Sequence, residues 1–145
     1  MQSVPILDGD FIERHTNFLE LVYRLEWEFG HTHLEVPSRH HHELPPTQVY
    51  DANTEPPFEL RHLADNTLLL MPAWEAGEAL GVKVVTVYPH NPQDSLPSIQ
   101  GCYLFFDATN GTLKSVLDGP TLTNKRTAAT SALASHYLSR KDART

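Results

Sequence analysis

Three basic side chains and a run of histidines are the residues of this sequence whose types and spacing could do chemistry. Arg126 lies in Thr121-Leu122-Thr123-Asn124-Lys125-Arg126-Thr127-Ala128-Ala129. With Thr123 as N-cap, Arg126 falls at the third helical position, where a Glu or Gln is favoured and a cation opposes the helix dipole. A cation placed at that cost is suited to holding a carboxylate or phosphate, although a solvated surface arginine fits the same pattern. Lys83 stands in Gly81-Val82-Lys83-Val84-Val85-Thr86-Val87, and by period two it shares a face with Val85 and Val87. On an apolar face its charged form is disfavoured unless an anion pairs with it, which is how an amine becomes useful for proton transfer near neutral pH. The other reading of Lys83 is an edge-strand lysine that discourages aggregation. Arg39 sits in a loop next to Pro37, where a guanidinium can clamp a carboxylate or simply be solvated.

His31, His33, His40, His41 and His42 fall close together, with Glu28, Glu35 and Glu43 nearby. Imidazole and carboxylate suit zinc, but adjacent histidines in an extended chain point in opposite directions and no H-x-x-x-H pair sits on a helix. No metal site is expected, and a hydrogen-bonding role for one of these histidines is the better reading. Cys102, the single cysteine, is expected to be a small core residue in mid-strand rather than a nucleophile.

Positioning these residues requires the following elements. Residues 8–30 read as helix in two pieces, with Asp10/Glu13 and Asn17/Glu20 as capping patterns and Gly30 as the stop. Phe18, Leu21, Val22, Leu25 and Phe29 form its apolar stripe, leaving Glu20, Arg24, Glu26 and Glu28 wet. Residues 33–36 are extended, and residues 44–66 read as loop because Pro45-Pro46 and Pro56-Pro57 block regular structure. Strands are expected at 67–73, 82–88, 99–106 and 112–117, the last two joined through an Asn110-Gly111 hairpin signal, with a polar connection at 89–97. A final helix is expected from about Thr123 to Arg140, with Ala129, Leu133 and Tyr137 on its inner stripe. The order gives an α+β domain over residues 1–145: N-terminal helices, a mixed, mostly antiparallel sheet or half-barrel, and a long C-terminal helix.

Composition narrows the function further. The chain has 145 residues, 40% hydrophobic and 20% charged, so it can bury a core. Its net charge of −7 argues against a nucleic-acid partner. One cysteine excludes an internal disulfide and fits a reducing cytoplasm; the N-terminus lacks a signal-peptide pattern, and no apolar run is long enough for a membrane. There is no G-x-G-x-x-G, so no dinucleotide-binding turn is encoded.

Several ordered motifs together resemble the ornithine cyclodeaminase/μ-crystallin family. They are Leu68-Leu69-Leu70-Met71-Pro72-Ala73-Trp74, the Gly81–Val87 segment, Asn91, Leu96-Pro97-Ser98-Ile99-Gln100-Gly101, Asp118-Gly119 and Leu122–Ala129, and the resemblance runs from about Val36 to Arg140. It implies a homodimer or larger homo-oligomer using NAD or NADP, whose substrate domain joins its partner through a sheet and whose other domain is a Rossmann domain. The implied activities are cyclising deamination of L-ornithine or reduction of a cyclic ketimine such as 1-pyrroline-2-carboxylate. Arg39 and Arg126 match the arginines that hold the small amino- or imino-acid carboxylate. Lys83 matches the lysine beside the amine or imine, and Ser98 and Thr127 match positions near the nicotinamide. In the family a glycine-rich nucleotide turn follows the last helix. The sequence here stops at Thr145, so the expectation is an absent Rossmann domain and a substrate-binding and dimerisation part that is catalytically incomplete and does not bind the cofactor by itself. A stand-alone, non-catalytic binding or dimerisation module of the same ancestry is the alternative.

Overall fold

A computed structural model describes residues 3–31, 33–45 and 66–142. Its elements in chain order are β1 (Ile6–Leu7), α1 (Gly9–His15), α2 (Phe18–His31), β2 (His40–Leu44), β3 (Asn66–Glu75), β4 (Ala79–Val87), a short 3-10 turn (Asn91–Asp94), β5 (Ile99–Phe106), β6 (Leu113–Asp118) and α3 (Gly119–Leu138). The strands make one six-stranded sheet in the order β1-β6-β5-β4-β3-β2. Only the two-residue β1 runs parallel to its neighbour β6; the other pairs are antiparallel. Over the described residues the architecture is therefore α+β with a mixed, mostly antiparallel open sheet and no closed barrel.

Register decides which side chains share a face. Met71, Lys83, Tyr103 and Leu117 stand opposite one another on β3, β4, β5 and β6. Continuing the His40–Leu70 pairing by one residue brings Arg39 to the head of the same row. This face carries α3, and α1 and α2 pack onto α3 in turn. Val85 of β4, Ala129 and Leu133 of α3, and Ile12 of α1 are the buried apolar core. Ala129 and Leu133 are the inner stripe expected of the last helix, whereas Tyr137 is 64% exposed and its hydroxyl hydrogen-bonds Glu26 of α2. No described helix packs on the other face, where Leu68, Leu70, Val82, Val84 and Leu104 stay half-exposed.

Helix boundaries differ from the sequence expectation at several points. The N-cap of α1 is Asp8, whose carboxylate accepts the Phe11 N–H at 2.8 Å, rather than Asp10. Asn17 does cap α2, accepting N–H bonds from Leu19 and Glu20. Gly30 does not stop α2, which continues to His31. On α2, Leu21, Val22 and Leu25 are half-buried as expected, but Phe18 and Phe29 are exposed and Glu26 and Glu28 half-buried; among the described elements α2 packs mainly on α3.

The largest shift is in α3. It starts four residues before Thr123, at Gly119, with Asp118 as N-cap accepting the Thr121 N–H at 2.8 Å and Pro120 in the first turn. Thr123 lies inside the helix and its hydroxyl donates to the Gly119 carbonyl at 2.6 Å. Gly119 is required by packing: a Cβ there would lie 2.5 Å from the Gly101 carbonyl oxygen and 2.9 Å from the Cys102 nitrogen. Lys125 then ties α3 to α1, its ammonium 2.6 Å from the Glu13 carboxylate and 3.3 Å from the Thr16 carbonyl.

The remaining elements follow the sequence reading more closely. The β5–β6 hairpin forms at the expected place, closed by Asp107 N–H donating to the Thr112 carbonyl and Gly111 N–H to the Asp107 carbonyl, both at 2.9 Å. Asp107 also accepts from the Thr109 hydroxyl and N–H and pairs with Lys114, which together hold its carboxyl down at about 2. The expected extended piece at 33–36 reduces to a two-way bridge between Glu35 and Trp74. The loop expected around Arg39 gives way at His40 to β2, which pairs with β3 as the sheet edge. Of the expected loop at 44–66, residues 46–65 lie outside the described residues.

Candidate functional site

Lys83 sits in the middle of β4, a strand with neighbours on both sides, so it does not guard a sheet edge. Its side chain rises from the face that carries α3. Arg126 approaches from α3, and Arg39 from the residue just before β2. All three line one cavity of about 220 Å³, walled by Met71, Pro72 and Ala73 of β3, Tyr103 of β5, and Gly119, Leu122 and Thr123 of α3. A cavity of this size suits a ligand of a few heavy atoms and is too small to enclose a nucleotide.

The cavity is electropositive. Its described lining includes three cations and no carboxylate. Burial lowers the Lys83 ammonium below its usual range, and the nearby Arg126 and Arg39 guanidiniums lower it further. An anion between the three would relieve both the desolvation and the repulsion. Two guanidiniums can grip a carboxylate in two-pronged fashion, and Lys83 adds a compact donor whose proton is held less tightly than usual.

The reason for placing Arg126 at an anion site changes with the observed helix. Because α3 starts at Gly119, Arg126 is two turns inside it, and the dipole acts mainly on the first turn. Arg126 therefore carries no electrostatic cost from the helix end. Its position beside Lys83 in the cavity replaces that argument. The adjacent Lys125, by contrast, is committed to the α1 contact.

Ser98 and Thr127 are not brought to this cavity. Ser98 precedes β5, and its carbonyl accepts the Tyr88 N–H at 2.7 Å; Thr127 is on the exposed side of α3. The histidines are dispersed as strand alternation requires. His40 and His42 stack on the face away from the helices, with ring centroids 6.4 Å apart, and His41 points the other way. His31 stacks on Trp27. Among the described residues no group of three or more His, Cys, Asp or Glu could hold a metal. Cys102 is a free thiol on the helix-free face and half-exposed, not a core residue, because its cross-strand partner Val84 lies on that same open side.

Tyr103 was absent from the residues singled out by sequence. The signal was present in the register: if 82–88 pairs with 99–106, Tyr103 comes opposite Lys83. Burial pushes its hydroxyl up, so it remains a neutral phenol. Among the described residues the one parallel strand pair is β1–β6, and no glycine-rich turn joins a strand to a helix. No described helix is long and apolar enough to cross a membrane.

The sequence and the fold are similar to those of known proteins. The sequence pattern of the ornithine cyclodeaminase/mu-crystallin family matches residues 46–145. The chain is 36% identical over 106 residues to a Delta(1)-pyrroline-2-carboxylate reductase of Paracoccus denitrificans, a match covering 73% of this chain and 31% of that protein. It is 47% identical over 70 residues to the ketimine reductase mu-crystallin of Rattus norvegicus, covering 48% of this chain and 22% of that protein. A solved structure of Thermococcus litoralis Delta(1)-pyrroline-2-carboxylate reductase in complex with NADH and L-proline matches with a TM-score of 0.76 at 29% identity, over 97% of this chain and 40% of that one. The chain thus spans between a fifth and a third of the length of these two curated relatives. With the family pattern running from residue 46 to residue 145 and the fold matched over nearly all of this chain, the protein belongs to the ornithine cyclodeaminase/mu-crystallin family.

Proposed function

We propose that this chain is the substrate-binding and dimerisation part of an ornithine cyclodeaminase-like, NAD(P)-dependent enzyme that acts on L-ornithine or on a cyclic ketimine such as 1-pyrroline-2-carboxylate. The observation that carries the reading is the convergence of Arg39, Lys83 and Arg126 on one small cavity with no described acid in its lining. Arg39 and Arg126 hold the substrate α-carboxylate, and Lys83 sits beside the amine or imine nitrogen, where its weakened hold on its proton suits proton transfer.

The nicotinamide cofactor of the family supplies or accepts a hydride. The described residues form no dinucleotide cradle, so no step through that group is assigned to them. Ser98 and Thr127 enter the reading only as residues that a dinucleotide would approach from outside the cavity. The helix-free sheet face is where a second copy would dock. A cytoplasmic location completes the proposal, a compartment that the free Cys102 thiol suits; recovery of the protein in a secreted or organellar fraction would overturn that part.

Calorimetric titration of the chain with L-proline and, separately, with NADH tests the site. Proline heats should be measurable and NADH heats negligible. Arg126→Ala should weaken proline binding about 10- to 100-fold, the range expected on losing charge-assisted hydrogen bonds to a carboxylate. Unchanged affinity in that variant, or no proline binding by the unmodified chain, would remove the carboxylate site.

A further inference from the structure

Tyr103 forms the part of the cavity wall that the three cations do not explain. Its ring starts opposite Lys83, its register partner, and leans along β4 toward Gly81. A Cβ on Gly81 would lie 1.8 Å from the phenol oxygen and 2.4 Å from Cζ, so the ring occupies the space that any other residue at position 81 would fill. Gly81 pairs with Ala73, another small residue, and Ala73 lines the same cavity. Glycine and alanine thus leave a hollow at this end of the sheet face, and the tip of Tyr103 fills it.

The two ends of the cavity differ in chemistry. The Lys83 row carries the charge. The Gly81 row, two residues along the strand and so about 7 Å away, is lined by Ala73 and the phenol ring. A small imino acid anchored by its carboxylate at the charged row would extend its ring toward the Gly81 row. At that point the Tyr103 tip limits how far it can reach.

We propose that Tyr103 is the specificity-determining residue of this site, its ring capping the Gly81 end so that a five-membered imino-acid ring fits and a larger one does not. This rests on the carboxylate-binding reading above and adds which substrate size that site takes. Burial keeps the phenol neutral, so it acts as a wall rather than as a fourth charge. Excluding one methylene by shape can change affinity by tenfold or more.

The test compares L-proline with its six-membered homologue L-pipecolate by calorimetry on the full chain. The unmodified protein should prefer proline by about tenfold or more. Tyr103→Val should bring the two affinities within about threefold of each other, because a wall has been removed from one end only. Tyr103→Phe keeps the ring packing and removes only the oxygen over Gly81; it should shift the ratio toward pipecolate by about two- to fivefold, and it supplies the answer if the valine variant does not fold. A general loss of structure weakens both ligands alike, so the ratio is the diagnostic. Equal binding of the two ligands by the unmodified protein, or an unmoved ratio in the variants, overturns the proposal. If Arg126→Ala weakens both ligands while the Tyr103 variants leave the ratio alone, only the Tyr103 assignment falls. If Arg126→Ala changes neither, the carboxylate site itself is wrong.

Discussion

Lys83 shows how a residue's surroundings select between readings that its sequence context allows. A lysine among β-branched residues suits a sheet edge as well as an active site. With β3 and β5 paired on either side, the edge reading falls, and the proposed function rests on the other. Its ammonium is disfavoured first by burial and then by Arg126 and Arg39, so its pKa in the folded protein lies below 10.5. Between that lowered value and 10.5 the unfolded chain holds a proton that the folded one has released. Stability of the unliganded protein therefore rises with pH across that window; the destabilisation is present in full below the lowered value and gone above 10.5. A bound carboxylate acts oppositely and favours the charged lysine, so by linkage carboxylate affinity must fall as pH rises through the lowered value. Pyrrole-2-carboxylate, which has no basic amine of its own, is the suitable probe. Its affinity should decline on raising the pH toward 10.5, while Lys83→Met should bind it weakly and with little pH dependence. A flat profile for the unmodified protein would disprove the linkage.

At the scale of elements, the start of α3 matters most, because that helix carries Arg126. Asp118 and Thr123 both satisfy the local capping rule. Pro120 in the first turn favours Asp118 and was readable as such. What settles the start, however, is Gly119 resting on the backbone of Gly101, a contact between segments distant in sequence. Gly119→Ala would put a methyl group against backbone that cannot move aside. It should cost about 1–3 kcal/mol in chemical denaturation, as overpacking does, and should also weaken proline binding because α3 must lift with Arg126 on it. Wild-type stability in this variant would mean that the helix is not seated as described. The strands, by contrast, were legible to within one to three residues, since long β-branched runs and a hairpin signal need only local information. Strands β1 and β2 were not, because their pairings with β6 and β3 lie in neither segment's composition.

At the scale of the whole molecule, the described residues cover the sheet on one side only. Val85 is buried beneath α3, while Val82, Val84 and Leu104 on the reverse are half-exposed. A strand apolar on both faces expects cover on both. We therefore expect the chain to associate through the reverse face, giving a dimer or larger species in light scattering, and Val84→Lys should shift it toward smaller species while sparing the cavity on the opposite side. A monodisperse monomer before any substitution would count against this use of the face.

The sequence by itself determined the strand periodicity, the two-piece N-terminal helix, the hairpin and the family, because each is written in residues near one another or in motifs of fixed order. It also singled out Arg39, Lys83 and Arg126, cations whose surroundings made them questionable as mere surface charge. Only the tertiary structure decided that the three share a cavity, that α3 begins at Gly119, that the histidines are parted by the sheet, and that Tyr103 lies across Gly81. Each of these depends on strand register and on how closely a helix can approach a sheet. Those are set by contacts between segments far apart in the chain, and a one-residue slip in register would place Tyr103 on the opposite face from Lys83.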